Sequence, residues 1–243
     1  MSNNVLKKPE NPEILSNNVL KKPENPEILS NNVLKKPENP EILSNNVLKM
    51  KNCIIDLHYL PCIAYFETIQ SHPKIIIDIG ENYQKQTYRN RCKILTSQGE
   101  HTLSIPIIHQ AIKMPLKEVK IDHQQKWQRT HWRTIVTNYA KSPFFMYYEH
   151  YFEKIFQKEY QFLYEWNLEL LKTCLKILKI STEIEIADNY IENIDENTKD
   201  LRNCILAKNQ QPILQKPYLQ VFNTDFIANL SILDLIFCQG KLD

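Results

Sequence analysis

Cationic side chains cluster in the segment KQTYRNRCK, which begins at Lys85. Side chains alternate across a strand, so Arg89, Arg91 and Lys93 are predicted to share one face of this segment. A guanidinium can donate two parallel hydrogen bonds to a phosphate or a carboxylate. We therefore expect this face, with Lys85, to bind a phosphate-bearing small molecule. The alternative is a solvated sheet face that pairs with acidic neighbours such as Glu81.

The opposite face of the same predicted strand carries Tyr88 and Asn90. We expect Tyr88 to contact the substrate and Asn90 to orient it, although Asn90 could equally satisfy backbone groups at a strand end. A site for single-stranded nucleic acid would need aromatic rings on the cationic face. Tyr88 points away from that face, and the net charge of the whole chain is only +2. We therefore expect no nucleic-acid partner.

A helix is predicted over residues 126–140, and one stripe of it could take part in catalysis. Trp127, His131 and Asn138 recur at helical spacing along this stripe, beside an apolar stripe that would face the core. His131 could act as a general base, Asn138 could orient the substrate and Trp127 could contact it. The alternative is a half-buried histidine that bonds to a backbone carbonyl, which is the commoner case for a lone histidine.

Other kinds of site lack their sequence motifs. The three glycines, Gly80, Gly99 and Gly240, form no glycine-rich phosphate loop. The six cysteines include no C-x-x-C pair and the histidines show no ligand spacing, so we expect no metal and no cofactor. A serine-hydrolase elbow is also missing. No apolar run approaches the roughly 18 residues of a membrane-spanning helix, so we expect no membrane span.

The first 49 residues consist of tandem repeats. Three identical copies of SNNVLKKPENPEIL and one partial copy occupy residues 2–15, 16–29, 30–43 and 44–49. Two prolines in each full copy prevent a continuous helix, and its four apolar residues are too few for a stacked core. We expect residues 1–49 to be disordered, Met50 to be the ordinary start, and residues 50–243 to form a single domain. A flexible linker or adhesive tail is the alternative.

The rest of the chain alternates between strand-like and helical patterns. Apolar runs at 53–57 and 74–79 flank a helical pattern and predict a βαβ unit. Further strands are predicted at 86–95, 101–107, 115–121, 182–186 and 218–222, the first two as a hairpin around Gly99. Helices are predicted at 126–140, 144–158, 160–178 and 230–238, with a short one within 188–200. The prediction is an α/β fold with a mixed sheet built mainly from the first half and helices concentrated after residue 125.

The last predicted helix has terminal signals of its own. Asn229 or Ser231 is predicted to cap its N-terminus, because a side-chain oxygen there can accept an unpaired backbone N–H. Asp234 in the first turn is favoured by the helix dipole. Gly240 is predicted to follow its end. These signals explain the segment without a catalytic role.

Four blocks of this sequence together resemble the WbqC-like proteins of bacterial surface-polysaccharide gene clusters. The blocks are Tyr59-Leu-Pro61 with Tyr65-Phe66, Tyr88-Arg-Asn-Arg91 before Ile105-Pro106, Trp127-x-x-x-His131-Trp132 with Asn138-Tyr139 and Pro143-Phe144-Phe145, and Asn229-Leu-Ser-Ile-Leu-Asp-Leu-Ile-Phe237 with Gly240. The resemblance covers essentially Met50–Gly240. Many members read His-Gln-Pro just before the Tyr-Leu-Pro block, and this chain departs from that pattern with Ile55, Asp56 and Leu57.

The resemblance implies a role in making or decorating surface glycans such as O-antigen, by a transferase that moves an acyl or aminoacyl group to an amino sugar. The six cysteines, spread without close pairs, are expected to be reduced thiols of a cytoplasmic protein. The cationic face would then bind a nucleotide sugar or another phosphate-bearing molecule, including the arm of an acyl carrier. His131 would take the proton of the attacking group. The second interpretation is a non-catalytic protein that binds a glycan intermediate or a partner enzyme, and the missing His-Gln-Pro favours it.

Overall fold

A computed structural model describes residues 51–108, 113–207, 215–222 and 225–242. Its strands are β1 (Asn52–Ile55), β2 (Lys74–Asp78), β3 (Arg91–Thr96), β4 (Gly99–Ser104), β5 (Glu183–Ala187) and β6 (Thr198–Asp200). Its α-helices are α1 (Ile63–Ile69), α2 (Trp127–Tyr139), α3 (Phe145–Phe156), α4 (Leu163–Leu178) and α5 (Ile232–Cys238). The tandem repeats at 1–49 lie outside the described residues, so their disorder and the domain boundary at Met50 stay predictions.

Four parallel strands form the main sheet, in the order β5-β2-β1-β6. β1 and β2 pair with Cys53 opposite Ile75, and α1 connects them as the predicted βαβ unit. Both strands are rich in isoleucine, whose β-branched side chain fits the pleated surface of a buried parallel sheet. The second half of the chain supplies the other two strands, because β5 pairs with β2 and β6 pairs with β1.

The strands β3 and β4 form a separate antiparallel hairpin, as the glycine between them predicts. Gly99 has φ +97, a conformation that residues with side chains rarely adopt. Cys92 and Ile94 face the core and are 1% and 0% exposed, whereas Arg91 and Lys93 alternate to the other face. The strand begins at Arg91, so the residues just before it, which were predicted as part of the strand, lie in turns.

The four longer helices predicted after residue 125 are confirmed as α2, α3, α4 and α5. Aromatic contacts join them, as where Trp127 of α2 meets Trp166 of α4 edge-to-face at 5.1 Å. Ser231 caps α5 as predicted, because its hydroxyl accepts the backbone N–H of Leu233. Gly240 follows this helix with φ +78, which suits a residue just beyond a helix end.

Two segments differ from their predicted structure. Residues 115–121 contain a single 3-10 turn, Leu116–Glu118, in place of a strand. The backbone N–H groups of Leu116 and Lys117 bond to carbonyl oxygens just beyond β2, and among the described residues the segment pairs with other backbone only through isolated bridges at Pro115, Lys120 and Ile121. Residues 188–200 contain no helix; they form a loop that ends in β6, because the edge of β1 is open to pairing there.

The segment 218–222, also predicted as a strand, pairs with no strand in the described part of the chain. Tyr218 and Gln220 instead donate to the buried carboxylate of Asp234, at 2.5 Å and 3.0 Å. Tyr139 donates to the same carboxylate at 2.9 Å. Burial raises the pKa of Asp234, and the three hydrogen bonds partly oppose this. The segment therefore lies against α5, because its polar side chains form hydrogen bonds with a buried acid of that helix.

The α/β class predicted from the sequence is confirmed, with the parallel and antiparallel strands in separate sheets. The helices after residue 125 supply much of the aromatic core, and the sheet is short, with strands of three to five residues. Every helix among the described residues falls short of the length and apolar content that crossing a bilayer requires.

Gly80 lies where the end of β2 meets the loop after β5. A Cβ atom there would be 2.3 Å from the backbone nitrogen of Tyr190 and 2.5 Å from the carbonyl carbon of Asn189. We predict that Gly80→Ala lowers the free energy of unfolding by about 3 kcal/mol, because rigid backbone must move. Gly99→Ala is the control, since a Cβ there meets nothing within 4 Å and adds only backbone strain. Urea denaturation would contradict this if Gly99→Ala were the more damaging change.

Candidate functional site

The carboxyl ends of the parallel strands meet at one edge of the sheet, where Asp56 follows β1, Glu81 follows β2 and Asn203 follows β6. We call this region the carboxyl edge. β2 and β5 lie on one side of β1 and β6 lies on the other, so the winding of the chain reverses beside β1. Open α/β sheets bind their ligands outside the carboxyl ends of the strands, at such a reversal.

A buried ion cluster lies at the carboxyl edge, with Arg89 at its centre. Arg89 Nη2 donates to Asp56 Oδ1 at 2.6 Å, and Arg89 Nε and Nη2 each donate to one oxygen of Glu81 at 2.8 Å. The fork of a guanidinium matches the two oxygens of a carboxylate in this way. Arg89 is 1% exposed, Asp56 is 2% exposed and Glu81 is 5% exposed. The guanidinium of Arg89 is therefore enclosed by protein groups and hardly reaches solvent.

Further hydrogen bonds connect the ion cluster to distant elements. The backbone N–H of Asn203, which adopts φ +58, donates to Asp56 Oδ2 at 2.8 Å. The side-chain oxygen of Asn203 accepts from Gln84 Nε2 at 2.9 Å. From α4, Asn167 Nδ2 donates to the carbonyl oxygen of Arg89 at 2.7 Å. Three parallel strands, one helix and the turn before β3 are thus joined at one point.

Burial and charge act in opposite directions on the pKa values of the ion cluster. Burial alone would raise the pKa of Asp56, but the nearby imidazole of His58, the charge of Arg89 and the backbone N–H of Asn203 hold it below its ordinary value. Burial raises the pKa of Glu81 in spite of the bonds from Arg89. Burial also lowers the pKa of His58, whose Nε2 lies 3.8 Å from Asp56 Oδ2. Asp56 is therefore the more firmly ionised of the two acids.

The cationic residues predicted to share one face take different places. Arg89 precedes β3 and is committed to the ion cluster. Lys93 Nζ pairs with Glu100 across the hairpin at 3.0 Å. Lys85 is exposed in the turn before β3. Only Arg91 and Lys93, which lie in β3 itself, therefore share one face as predicted.

Tyr88 and Asn90 are both buried beside the ion cluster. Tyr88 is 2% exposed, and its carbonyl oxygen accepts the backbone N–H of Tyr59 at 2.8 Å. Asn90 Nδ2 donates to the carbonyl oxygen of Ile105 at 3.0 Å, and its side-chain oxygen has no hydrogen-bond partner among the described residues. Asn90 thus satisfies backbone at a strand end, which is the alternative that the sequence left open.

Arg91 has a guanidinium whose hydrogen bonding is incomplete. Its Nε is buried and has no hydrogen-bond partner in the described parts of the chain, and the same holds for the hydroxyl of Tyr83. Burial raises the pKa of Tyr83 to about 12, and the charges of Arg89 and Arg91 oppose that rise, so both guanidinium groups act on this hydroxyl. Unsatisfied buried donors are costly, so these two groups stand out among the polar atoms near β3.

His131 lies on the buried side of α2 and is 6% exposed. Its Nδ1 is 3.0 Å from the hydroxyl oxygen of Tyr59, and its ring meets that of Trp127 edge-to-face at 5.2 Å. Burial lowers the pKa of His131 to about 4; His101 adds to this effect and a hydrogen bond to the backbone of Ser104 opposes it. The imidazole is therefore neutral near pH 7.

The other two predicted residues of α2 make contacts within the protein. Trp127 is 5% exposed and packs against Trp166, and its indole N–H has no hydrogen-bond partner among the residues described. Asn138 Nδ2 donates to the carbonyl oxygen of Thr134, one turn earlier, at 2.7 Å. Trp127 and His131 are thus brought together, while Asn138 lies further along the helix.

Arg91 and Cys92 alternate to opposite faces of β3. Burial raises the pKa of the Tyr59 hydroxyl, and the nearby thiol of Cys92 raises it further, so Tyr59 and His131 lie on the side of β3 that Cys92 faces. Arg91 precedes Cys92 in the strand, so its side chain alternates to the other side. The side chain of Arg91 therefore leaves β3 on the face opposite to Cys92, whereas Tyr59, the partner of His131, lies near Cys92.

The sequence patterns do not single out Asp56, His58 or Asn203 as site residues. A signal for Asp56 exists, because an acid directly after an apolar strand marks the carboxyl end of that strand. Asp56 stands where many WbqC-like proteins have the Gln of His-Gln-Pro. This departure from the pattern therefore supplies Arg89 with an acidic partner. No group of three His, Cys, Asp or Glu side chains among the described residues is placed to bind a metal.

Comparison with known proteins yields a family and one distant relative. The sequence profile of the WbqC-like protein family matches residues 57–211. A protein of Mycobacterium tuberculosis, described as uncharacterized, is 31% identical over 96 residues, which cover 39% of this chain and 41% of the relative. The chain thus spans about two-fifths of the length of that relative. No solved structure matches the chain.

We predict that Arg89→Met lowers the free energy of unfolding by about 3–5 kcal/mol, because it leaves two buried carboxylates without their partner. Lys74→Met is the matched control: the ammonium of Lys74 also pairs with two acids, Glu183 and Glu185, but at the surface. Its removal should hardly change stability. Urea denaturation measures both variants, and equal losses would show that burial does not govern the strength of the cluster.

We also predict that His131 makes the protein less stable in mild acid. Its folded-state pKa of about 4 lies below the ordinary 6.5, so the unfolded chain takes up the proton first as the pH falls. Stability is lost between pH 6.5 and 4, by about 3 kcal/mol in full. His131→Gln should lack this loss. Tyr59→Phe should retain it, since burial is its main cause. Unfolding measured across this range contradicts the prediction if His131→Gln stays as pH-sensitive as the wild type.

Proposed function

Because the chain belongs to the WbqC-like protein family, we propose that it acts in the biosynthesis of bacterial surface polysaccharides such as O-antigen. Its role in this proposal is to bind a phosphate-bearing intermediate, a nucleotide sugar. Nucleotide sugars are cytoplasmic compounds, so the proposal places the protein in the cytoplasm. It assigns the phosphate to Arg91 and Tyr83, beside the carboxyl edge.

The observation that carries this proposal is the pair of unsatisfied buried donors, Arg91 Nε and the Tyr83 hydroxyl. A phosphate oxygen accepts several hydrogen bonds at once, and a guanidinium is the protein group best matched to it. Arg89 does not serve in the same way, because its Nε and Nη2 already donate to Asp56 and Glu81 and the residue is 1% exposed. Arg91 is thus the guanidinium of the Tyr88–Arg91 block that is left for a ligand.

The position of Arg91 also supports the proposal. It begins β3 directly after the turn that is anchored in the ion cluster, so the turn that sets its position is rigid. That turn lies at the reversal of winding where α/β sheets accept ligands. Lys85, exposed in the same turn, adds positive charge to the approach. A fixed guanidinium loses little conformational freedom on binding, which favours affinity.

A finer proposal is that the protein also transfers an acyl or aminoacyl group, brought by an acyl carrier, to the amino group of the bound sugar. The neutral imidazole of His131 suits a base that takes the proton of the attacking amine. However, His131 is 6% exposed, its Nδ1 lies 3.0 Å from the Tyr59 hydroxyl and its ring packs on that of Trp127. These contacts favour the binding role over the transferase role.

We predict that Arg91→Gln weakens the binding of UDP-N-acetylglucosamine about ten-fold or more. A hydrogen bond to a charged group contributes about 1.5–3 kcal/mol, and 1.4 kcal/mol is a factor of ten in Kd. Tyr83→Phe should weaken binding less, because it removes one neutral donor. Isothermal titration calorimetry measures the Kd of each variant.

Lys93→Gln is the control for the loss of one positive charge on the same face of β3. Lys93 already pairs with Glu100, so its replacement should change the Kd less than that of Arg91. The proposal fails if the wild-type protein binds no nucleotide sugar in a panel that varies the base and the sugar. It also fails if Arg91→Gln and the wild type bind equally well.

A further inference from the structure

A groove of about 340 Å³ lies between the first half of α2 and the end of α3. Side chains of both elements line it, among them Gln125, Lys126, Arg129, Trp132, Phe156 and Glu159. None of these residues takes part in the ion cluster or contacts the proposed phosphate site at Arg91. The groove is therefore a separate feature of the molecule.

The floor of the groove is aromatic and its shape is fixed. Trp132 and Phe156 stack with their ring centroids 5.4 Å apart and their planes at 29°. Trp132 is half-buried, so part of its indole remains open to the groove. Gln128 Nε2 donates to the carbonyl oxygens of Phe156 and Lys158, at 3.3 Å and 2.6 Å, and ties the two walls together. The groove is thus formed before any ligand enters.

The rim of the groove carries charges that are not neutralised by the protein. Lys126, Arg129 and Glu159 form no ion pair with any of the residues that the structure describes. Gln125 adds a side-chain amide to the same rim. The groove therefore offers an apolar ring surface, two cations and a set of hydrogen-bonding groups within one small volume.

We propose that this groove binds a monosaccharide phosphate. The C–H groups of a pyranose ring pack on aromatic surface, which the part of the Trp132 indole left open by the stacked rings of Phe145 and Phe156 provides. The phosphate pairs with Arg129 and Lys126. The hydroxyl groups of the sugar bond to Glu159 and Gln125, since a carboxylate accepts and an amide both donates and accepts.

The volume and the lining of the groove decide between a sugar and a nucleotide. Ligand pockets usually measure about 300–1,000 Å³, and 340 Å³ lies near the lower end of that range. One ring and one phosphate fit such a volume better than the two rings and two phosphates of a nucleotide sugar. The several amide and carboxylate groups on the rim match the many hydroxyl groups of a sugar better than a nucleobase.

Tryptophan fluorescence offers a direct test, because Trp132 is half-buried whereas Trp127 and Trp166 are 5% and 0% exposed. Glucose 1-phosphate is the probe, and glucose, inorganic phosphate and uridine monophosphate are the comparison ligands. We expect glucose 1-phosphate to change the fluorescence saturably. Trp132→Phe should abolish the change while keeping the aromatic stack, and dialysis with labelled ligand confirms binding to that variant.

Arg129→Gln should weaken binding of glucose 1-phosphate about ten-fold or more, which the loss of one charge-assisted hydrogen bond predicts. Arg133→Gln is the matched control, since Arg133 lies on the same helix outside the groove. Arg91→Gln should leave this binding unchanged, so failure of the phosphate site at Arg91 and failure of the groove can be told apart. Absence of a saturable change, equal effects of Arg129→Gln and Arg133→Gln, or equal affinity for uridine monophosphate would each overturn the assignment.

Discussion

The buried guanidinium of Arg89, held between the carboxylates of Asp56 and Glu81, is the interaction on which the rest of the molecule depends. Burying three charges costs several kcal/mol per ion, and only short, well-aligned hydrogen bonds offset that cost. The chain meets this requirement by bringing the ends of three parallel strands to one point. The ion cluster therefore fixes the turn before β3 to the sheet, and with it the position of the hairpin.

This arrangement assigns different roles to two arginines that stand two positions apart. Arg89 serves the fold, since the carboxylates of Asp56 and Glu81 and the side-chain oxygen of Asn203 all accept hydrogen bonds from its Nη2. Arg91 begins the strand, and its buried Nε, like the buried hydroxyl of Tyr83, has no hydrogen-bond partner among the described residues. A rigid structural cation thus holds a second cation in place for a ligand, which is how a preorganised binding site limits the entropy lost on binding.

Much of the fold follows from local sequence patterns. The apolar runs of β1 and β2, the helical periods of α2 to α4, the glycine turn of the hairpin and the cap at Ser231 all act within a few residues. The segment before β3 does not, because Gln86 adopts φ +60 and the turn is held by Asp56, Glu81 and Asn167, which lie far away in the sequence. Strand alternation could not reveal these partners, so it placed Arg89 on the wrong element.

The candidate site shows the same limit. Spacing along α2 correctly grouped Trp127 with His131, because both lie on the buried face of this helix. It could not show that Tyr59, which lies 72 positions away, holds the imidazole. Such relations depend on how separate elements pack, and single-sequence periodicity carries no information about packing between elements.

The division of roles between Arg89 and Arg91 can be tested most directly by nuclear magnetic resonance of the arginine Nε–Hε groups during titration with UDP-N-acetylglucosamine. We predict that the Arg91 signal shifts and saturates with the ligand. The Arg89 signal should stay in place and exchange slowly with solvent, because Glu81 holds its Nε–H. A ligand-dependent shift of Arg89 with an unmoved Arg91 would contradict the account.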